Sequence, residues 1–226
     1  MRFTLLFFAI PLFAQPYRVV IRTGVPVKMR DGVTLRADVF RPDDAGKFPV
    51  LLERTPYNRA GDTSTASELA AHGYVVVIQD TRGRFASEGE FYPFRYESAD
   101  GFDSVEWAAA LPNSNGRVGM FGGSYVGATQ MLASIAKPPH LEAIFPYVTA
   151  AEYYEGWTYQ GGSLMQWFAS SWSSGLTVDT LTRQANSRLH PKEWTSTLPV
   201  EAYRMTDVPP AARKTPPAKA RNSFRV

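Results

Sequence analysis

One segment restricts the possible folds of this chain more than any other. A short apolar run at residues 118–121 leads through Gly122-Gly123-Ser124 into a helix-like stretch at residues 125–136. A strand that passes so abruptly into a helix forces strained backbone dihedrals, which glycine adopts at the least cost. A hydroxyl on such a bend stands clear of the sheet, where it can attack a bound acyl carbon. Ser124 is therefore the first candidate catalytic residue, although Gly-Gly-Ser also forms ordinary turns.

Strand-like and helix-like segments alternate along the chain around this bend. Continuous apolar runs of strand length are typical of strands buried on both faces of a parallel sheet. They occur at residues 48–52, 74–78, 118–121 and 141–147. Helix-like stretches separate them, at residues 65–72, 98–111 and 125–136. This order predicts an α/β fold with a doubly wound, mostly parallel sheet.

The sheet is predicted to begin with an antiparallel edge. Residues 25–29 and 33–40 flank Asp31-Gly32, a dipeptide typical of hairpin turns. The second run alternates apolar residues with polar ones such as Arg36 and Asp38, which predicts a strand with one face in water.

The pattern changes after Thr149. Residues 150–205 combine many aromatic side chains at helical spacing with no run typical of a strand, which predicts a helical lid. These aromatic side chains are expected to form core, a substrate pocket, or both if the lid covers Ser124. They are Tyr153, Tyr154, Trp157, Tyr159, Trp167, Phe168 and Trp172. Residues 206–226 are rich in Pro, Ala, Lys and Arg with little to bury, which predicts a disordered or divergent tail.

Residues 1–14 have the features of a signal peptide. A positive start at Met1-Arg2 precedes an apolar stretch at residues 3–13, and Ala14 is a small residue where a signal peptidase could cut. We therefore expect secretion or export to the periplasm, with a retained anchor as the alternative because Leu12 is large for a cleavage site. No stretch reaches the roughly 20 apolar residues of a membrane helix, so no membrane span is expected.

Composition excludes several other classes. The chain has no cysteine, which excludes disulfides, thiolate zinc sites and a cysteine nucleophile. No ligand cluster or phosphate-binding glycine loop is present, so no metal or organic cofactor is expected. The net charge is +3, but nine basic and three acidic residues lie from Arg183 onward, which leaves 15 basic and 18 acidic residues elsewhere. No nucleic-acid partner is therefore expected, and the oligomeric state is not indicated.

Several separate segments resemble the serine hydrolases that include cocaine esterase, X-prolyl dipeptidyl aminopeptidases and alpha-amino-acid ester hydrolases. The similar segments are residues 27–35 (VKMRDGVTL), 40–42 (FRP), 54–57 (RTPY), 79–89 (QDTRGRFASEG), 101–107 (GFDSVEW) and 115–120 (NGRVGM). The bend departs from G-x-S-x-G because Val126 takes the place of the second glycine and Gly127 follows it. The family is similar there, with a tyrosine after the serine and a glycine three places after it. The resemblance implies an alpha/beta-hydrolase fold, with its N-terminal part at residues 15–149.

The resemblance also implies roles for individual residues. Ser124 would be the acyl-accepting nucleophile. The backbone N–H of Tyr125 and the hydroxyl of Tyr57 would form the oxyanion hole, worth roughly a hundred- to thousandfold in rate per donor. The alternative for Tyr57 is a loop residue that packs its ring beside the preceding proline. Three charged residues of the family pattern are expected to brace the loop beside the site without taking part in the chemistry, namely Asp80, Arg82 and Arg84.

A serine nucleophile needs a base, and in this fold an acid and a histidine follow the serine on later strand ends. His140 and His190 are the histidines after Ser124, and neither ends a predicted strand. Asp179 and His190 occur in the required order, so an in-chain triad with Ser124 stays open. Relatives carry the acid and histidine after the lid. We therefore expect this chain to be the N-terminal portion of a hydrolase, shortened by truncation or a frameshift and inactive alone.

The expected substrate is a small-molecule ester or a short peptide, cleaved at an ester or amide bond through an acyl-enzyme. Recognition of a free amine would need carboxylates near the site, and Glu152 and Glu155 are candidates for that role or for a solvated surface. The alternative function is a non-catalytic binding protein that retains the bend at Ser124 as a relic.

Overall fold

The computed structural model describes residues 16–61 and 63–189. Its strands are β1 (Val19–Lys28), β2 (Thr34–Pro42), β3 (Phe48–Thr55), β4 (Val75–Asp80), β5 (Ser114–Gly123), β6 (Leu141–Tyr147), β7 (Tyr159–Gln160) and β8 (Ser163–Leu164). Its helices are α1 (Ser64–Ala71), α2 (Glu97–Ala109), α3 (Tyr125–Ile135) and α4 (Gln166–Leu189). The chain divides into two compact units, residues 1–176 and residues 177–226, and the described part of the second unit is the end of α4.

The first unit is built on a six-stranded mixed sheet. The strand order is β1-β2-β4-β3-β5-β6. β1 pairs with β2, and β2 with β4, in antiparallel fashion. β3, β4, β5 and β6 are parallel to one another. The predicted parallel sheet with an antiparallel N-terminal edge is therefore confirmed.

Helices cover both faces of this sheet. On one face, Val50 and Leu52 of β3 pack in a core with Val105 of α2 and Ala133 of α3. On the other face, Val76 and Ile78 of β4 pack against the alanines of α1. Side chains of a strand alternate between faces, so a continuous apolar run such as that in β4 supplies both cores. All six residues of β4 are buried.

The N-terminal hairpin differs from its prediction in two respects. β1 begins at Val19, earlier than predicted, because a bulge between Arg22 and Val25 separates two stretches that both pair with β2. Asp38 is predicted to face water, but its side chain is buried and accepts a hydrogen bond from the Arg59 guanidinium at 2.9 Å. An ion pair compensates the burial of this carboxylate, which an alternating pattern alone does not reveal.

β6 lies at the edge of the sheet. The sequence predicts burial on both faces, and this is wrong: Ile144 packs against the core on one face, whereas Phe145 and Tyr147 on the other face are 68% and 52% exposed. An apolar strand at an edge is the arrangement that soluble proteins usually protect by pairing or covering.

The aromatic segment after β6 is helical only in part. Residues 150–165 contain turns and the two-residue strands β7 and β8, and the predicted helix begins at Gln166. The glycines of the tight β7–β8 turn, Gly161 and Gly162, both have positive φ, which stops a helix at this point.

Several predictions concern residues outside those described. These are the signal peptide at residues 1–14, the part of the lid from His190 to residue 205, and the tail at residues 206–226. Among the described residues, no helix is both long and apolar enough to cross a bilayer. The same part of the chain contains no group of three or more His, Asp or Glu side chains that could hold a metal ion.

Candidate active site

Ser124 lies between β5 and α3, at the carboxyl end of β5. Its backbone has φ 59° and ψ −128°, a combination that is costly for a residue with a side chain. The N–H of Ser124 donates to the carbonyl of Tyr147 at 3.0 Å, and the Ser124 carbonyl accepts from the N–H of Ala128 at 3.1 Å. Ser124 is half-buried. The structure therefore has the strained bend that the sequence predicts, with Ser124 preceding the first turn of a helix.

Close packing explains why the glycines stand where they do. Gly122 has φ 127°, and a Cβ there would lie 2.3 Å from Cγ1 of Val126. A Cβ at Gly127 would lie 2.8 Å from the side chain of Thr149. Val126 thus uses the space that Gly122 leaves, and Gly127 makes room for the chain after β6. This accounts for the shifted position of the second glycine.

Gln130 of α3 forms hydrogen bonds with the backbone on both sides of the bend's strand pairing, in β5 and in β6. Its amide nitrogen donates to the carbonyl of Gly122 at 2.9 Å, and its amide oxygen accepts from the N–H of Phe145 at 3.0 Å. Gln130 is fully buried. It ties the bend to the edge strand β6.

Tyr57 follows the carboxyl end of β3, the parallel neighbour of β5. Tyr57 and Ser124 therefore both lie at the carboxyl ends of the parallel strands, where α/β proteins place their binding sites. The side chain of Tyr57 is 44% exposed. Its hydroxyl accepts a hydrogen bond from Nε1 of Trp172 in α4 at 3.1 Å.

Two of the three charged residues of the family pattern, Asp80 and Arg84, hold the Tyr57 loop. Arg84 donates to the carbonyl of Pro56 at 2.8 Å and to the carbonyl of Leu176 in α4 at 2.8 Å. Asp80 accepts from the N–H of Arg59 at 2.7 Å and from its guanidinium at 2.6 Å. Burial raises the pKa of the Asp80 carboxyl, and the bonds from Arg59 act in the opposite direction. These contacts agree with the predicted bracing role for Asp80 and Arg84, whereas Arg82 binds Asp100 and Asp31.

The side chain of Tyr125 points into the core and is fully buried. Its hydroxyl donates to Oε1 of Glu97 at 2.9 Å and accepts from the N–H of Phe94 at 2.9 Å. Glu97 in turn accepts from Arg54 at 2.7 Å. Burial and then the charge of Glu97 raise the pKa of the Tyr125 phenol, so its hydroxyl stays protonated. Only the backbone N–H of Tyr125, at the first position of α3, is available for a substrate.

A cavity of about 370 Å³ opens beside Ser124. Most of its lining residues have apolar side chains, and Ser124 and Thr149 are the two that carry a hydroxyl group. The lining residues are Ser124, Val148, Thr149, Ala150, Gly156, Trp157, Met165 and Phe168. The aromatic segment therefore does contribute to a pocket, while other members of it pack against each other.

The two candidate carboxylates of the aromatic segment bind backbone N–H groups away from the cavity. Glu152 accepts from the N–H groups of Tyr154 and Glu155, at 2.7 Å and 2.6 Å. Glu155 accepts from the N–H of Gly161 at 3.1 Å. Both carboxylates organise the turn around β7, and neither lines the cavity.

The described histidines lie at the amino ends of the parallel strands, opposite to the carboxyl end that carries Ser124. His140 precedes β6 and pairs with Glu106 at 2.8 Å, and His72 precedes β4. β4 and β6 are parallel to β5, so their amino ends face away from the carboxyl end that carries Ser124. Asp179 lies on α4 in the second unit, and His190 falls outside the described residues. The in-chain triad stays a prediction.

The sequence does not identify the supporting residues of the site. Gln130, Glu97 and Arg54 act through contacts between residues distant in the chain, as in the bond from Arg54 to Glu97 across 43 positions. The one available signal is that Arg54 closely follows the apolar run at residues 48–52, where a buried charge requires a partner.

Comparison with known proteins identifies relatives of this chain. The X-Pro dipeptidyl-peptidase (S15) family matches residues 31–219. Cocaine esterase from Rhodococcus sp. (strain MB1 Bresler) is 39% identical over 206 residues, which are 88% of this chain and 35% of that protein. A CocE/NonD family hydrolase from Staphylococcus aureus has a TM-score of 0.68 at 27% identity, over 76% of this chain and 36% of its own. An alpha-amino acid ester hydrolase has a TM-score of 0.54 at 26% identity, over 65% and 29% of the two chains.

These likenesses confirm the predicted alpha/beta-hydrolase fold, of which the described residues form a part. The chain spans about a third of the length of cocaine esterase and of the Staphylococcus aureus hydrolase. The family match covers well over half of the chain and agrees with the 39% identity to cocaine esterase. The chain belongs to the X-Pro dipeptidyl-peptidase (S15) family of hydrolases.

Proposed function

We propose that this chain carries the nucleophile of a serine hydrolase that cleaves ester or amide bonds through an acyl-enzyme at Ser124. The observation that carries the proposal is the strained bend after β5, which brings a half-buried serine to the wall of a cavity. The Ser124 oxygen attacks the carbonyl carbon of the substrate and passes its proton to a base. The intermediate then expels an alcohol or amine, and water releases the acyl group in a second step.

Two groups are proposed to stabilise the oxyanion of that intermediate. The N–H of Tyr125 follows the nucleophile directly, and the hydroxyl of Tyr57 comes from the neighbouring parallel strand end. Supporting this assignment, the Tyr57 hydroxyl contacts Trp172, which stacks on Phe168 of the cavity wall with ring centroids 6.3 Å apart. Each donor is worth roughly a hundred- to thousandfold in rate.

The cavity favours an uncharged, apolar substrate group. Trp157, Met165 and Phe168 are large apolar residues of its lining, and a buried ammonium group without a carboxylate partner would be costly there. The nearby acids Glu152 and Glu155 already bind backbone N–H groups. A small ester with an apolar acyl or alcohol group therefore fits this cavity better than a peptide with a free N-terminus.

The base is proposed to come from residues outside those described. His72 and His140 do not reach Ser124, and loss of a catalytic base costs about a millionfold in turnover. We therefore infer negligible turnover by the described part of the chain alone. His190, with Asp179, is the base that this sequence itself could supply.

A fluorophosphonate probe with added imidazole tests these statements. Imidazole substitutes for a missing base, so we expect slow labelling without it, faster labelling with it, and attachment at Ser124 by mass spectrometry of peptides. Ser124→Ala removes labelling, whereas the control Ser134→Ala, a serine bonded within α3, retains it. Fast labelling without imidazole that His190→Ala abolishes would show an in-chain base. Folded protein that imidazole does not help to label would instead support the non-catalytic alternative.

Export is proposed on the composition of residues 1–14. Expression of the full chain in a bacterium followed by fractionation tests it. We expect a mature protein in the periplasm or medium whose N-terminus is Gln15. Intact Met1 on cytoplasmic protein would contradict the proposal.

A further inference from the structure

The indole of Trp172 makes a directed contact with the proposed oxyanion donor. Its Nε1 lies 3.1 Å from the hydroxyl oxygen of Tyr57. An indole N–H is a donor only, so the Tyr57 oxygen must be the acceptor of this bond. The single phenolic proton of Tyr57 is therefore not used in it and is left for another acceptor.

A bond of this kind affects both the position and the strength of the donor. Accepting the indole N–H fixes the Tyr57 oxygen, which would otherwise move with a side chain that is 44% exposed. Hydrogen bonds in a chain also polarise one another, so a phenol that accepts one becomes a stronger donor in the next. Trp172 N–H, Tyr57 O–H and a substrate oxyanion would form such a chain.

The indole is itself held by a stack of aromatic rings. It lies nearly parallel to Phe94, with centroids 6.2 Å apart and planes at 14°, and to Phe168, at 6.3 Å and 15°. The ring of Tyr125 is 6.1 Å away at 28°. Trp172 thus contacts both residues proposed as oxyanion donors, Tyr57 through its N–H and Tyr125 through its ring.

We propose that Trp172 is a positioning residue of the oxyanion hole. Its N–H holds the Tyr57 hydroxyl with the phenolic proton free for the substrate oxygen, so the lid helix α4 supplies part of the transition-state stabilisation. This inference rests on the proposed function and extends it to a residue that does not touch the reacting atoms.

A double-mutant cycle on fluorophosphonate labelling in the presence of imidazole tests the inference. Trp172→Phe keeps an aromatic ring for the stack, although a smaller one, and removes the N–H. We expect it to slow labelling by roughly three- to tenfold, and Tyr57→Phe to slow it by roughly a hundredfold. The double variant should react at the rate of Tyr57→Phe alone, because Trp172 acts only through that hydroxyl. The control Trp107→Phe, on α2, should leave the rate unchanged.

Each other outcome has a distinct meaning. A Trp172→Phe rate equal to wild type, or a slowing that persists undiminished in the Tyr57→Phe background, would overturn the inference while leaving Ser124 as the nucleophile. Absence of labelling in every variant would be a failure of the proposed function.

NMR of the indole N–H resonance of Trp172 then tests its hydrogen bond to Tyr57 directly. Tyr57→Phe should shift that N–H upfield and speed its exchange with solvent, and an unchanged resonance would refute the contact.

Discussion

Ser124 holds a backbone conformation that strains any residue with a Cβ. Its φ of 59° and ψ of −128° belong to a region that costs roughly 1–3 kcal/mol. Glycine adopts such dihedrals freely, although it also gains entropy in the unfolded chain. We therefore expect Ser124→Gly to be more stable than Ser124→Ala by about 1 kcal/mol in urea unfolding. Equal stabilities would contradict the strain. Neither variant should react with a fluorophosphonate.

Gln130 gives a second prediction for a single residue. Gln130→Met has a similar volume but no amide, which leaves the buried carbonyl of Gly122 and the N–H of Phe145 without their partner. We expect a loss of about 2–3 kcal/mol in the free energy of unfolding. The control Gln160→Met lies at an exposed position of β7 and should change it by less than about 0.5 kcal/mol. A similar loss in both variants would show that the Gln130 amide is not the cause.

At the scale of elements, the regular strands and helices could be predicted because each carries its own periodicity. β3, β4, β5 and α3 coincide with the predicted segments to within a few residues. The burial of β6 could not be predicted, since an apolar run does not show whether another element packs on each face of the strand. The aromatic residues before Gln166 likewise have helical spacing, but glycine turns at Gly161 and Gly162 override it.

Glu53 of β3 makes the stability of the sheet depend on pH. Burial raises the pKa of its carboxyl above the unfolded value. The native state then binds more protons than the unfolded state, so its stability decreases as the pH rises through this range. Glu53→Gln does not titrate, so we expect it to be more stable than wild type at pH 7. The two should converge below the unfolded pKa of about 4.3. Thermal unfolding from roughly pH 3.5 to roughly pH 7 measures the difference in stability between the two proteins. A difference that persists at the lowest pH would contradict the prediction.

For the molecule as a whole, buried ion pairs connect the sheet to α2 and to the bend. Arg54 at the end of β3 binds Glu97, which holds Tyr125. Arg82 after β4 binds Asp100. The sequence showed the charges but not the pairing, because the partners are distant in the chain. The proposed nucleophile and oxyanion donors come from local motifs and family resemblance, whereas the network that holds these residues required coordinates.

Breaking a buried ion pair should cost much more stability than breaking an exposed one. Asp100 accepts two hydrogen bonds from Arg82, at 2.9 Å and 2.6 Å, and both side chains are buried. Asp100→Asn leaves the guanidinium with the half-exposed Asp31 as its counter-charge, and breaking a buried pair costs about 3–5 kcal/mol. Glu142→Gln breaks the exposed pair with Arg117, which water and salt screen, so its unfolding midpoint should stay close to wild type. Urea unfolding of the two variants compares them directly. If Asp100→Asn unfolded at the midpoint of Glu142→Gln, the pair of Arg82 with Asp100 would not stabilise the fold, and the other contacts of α2, such as that of Glu97 with Arg54, would be enough to hold the helix.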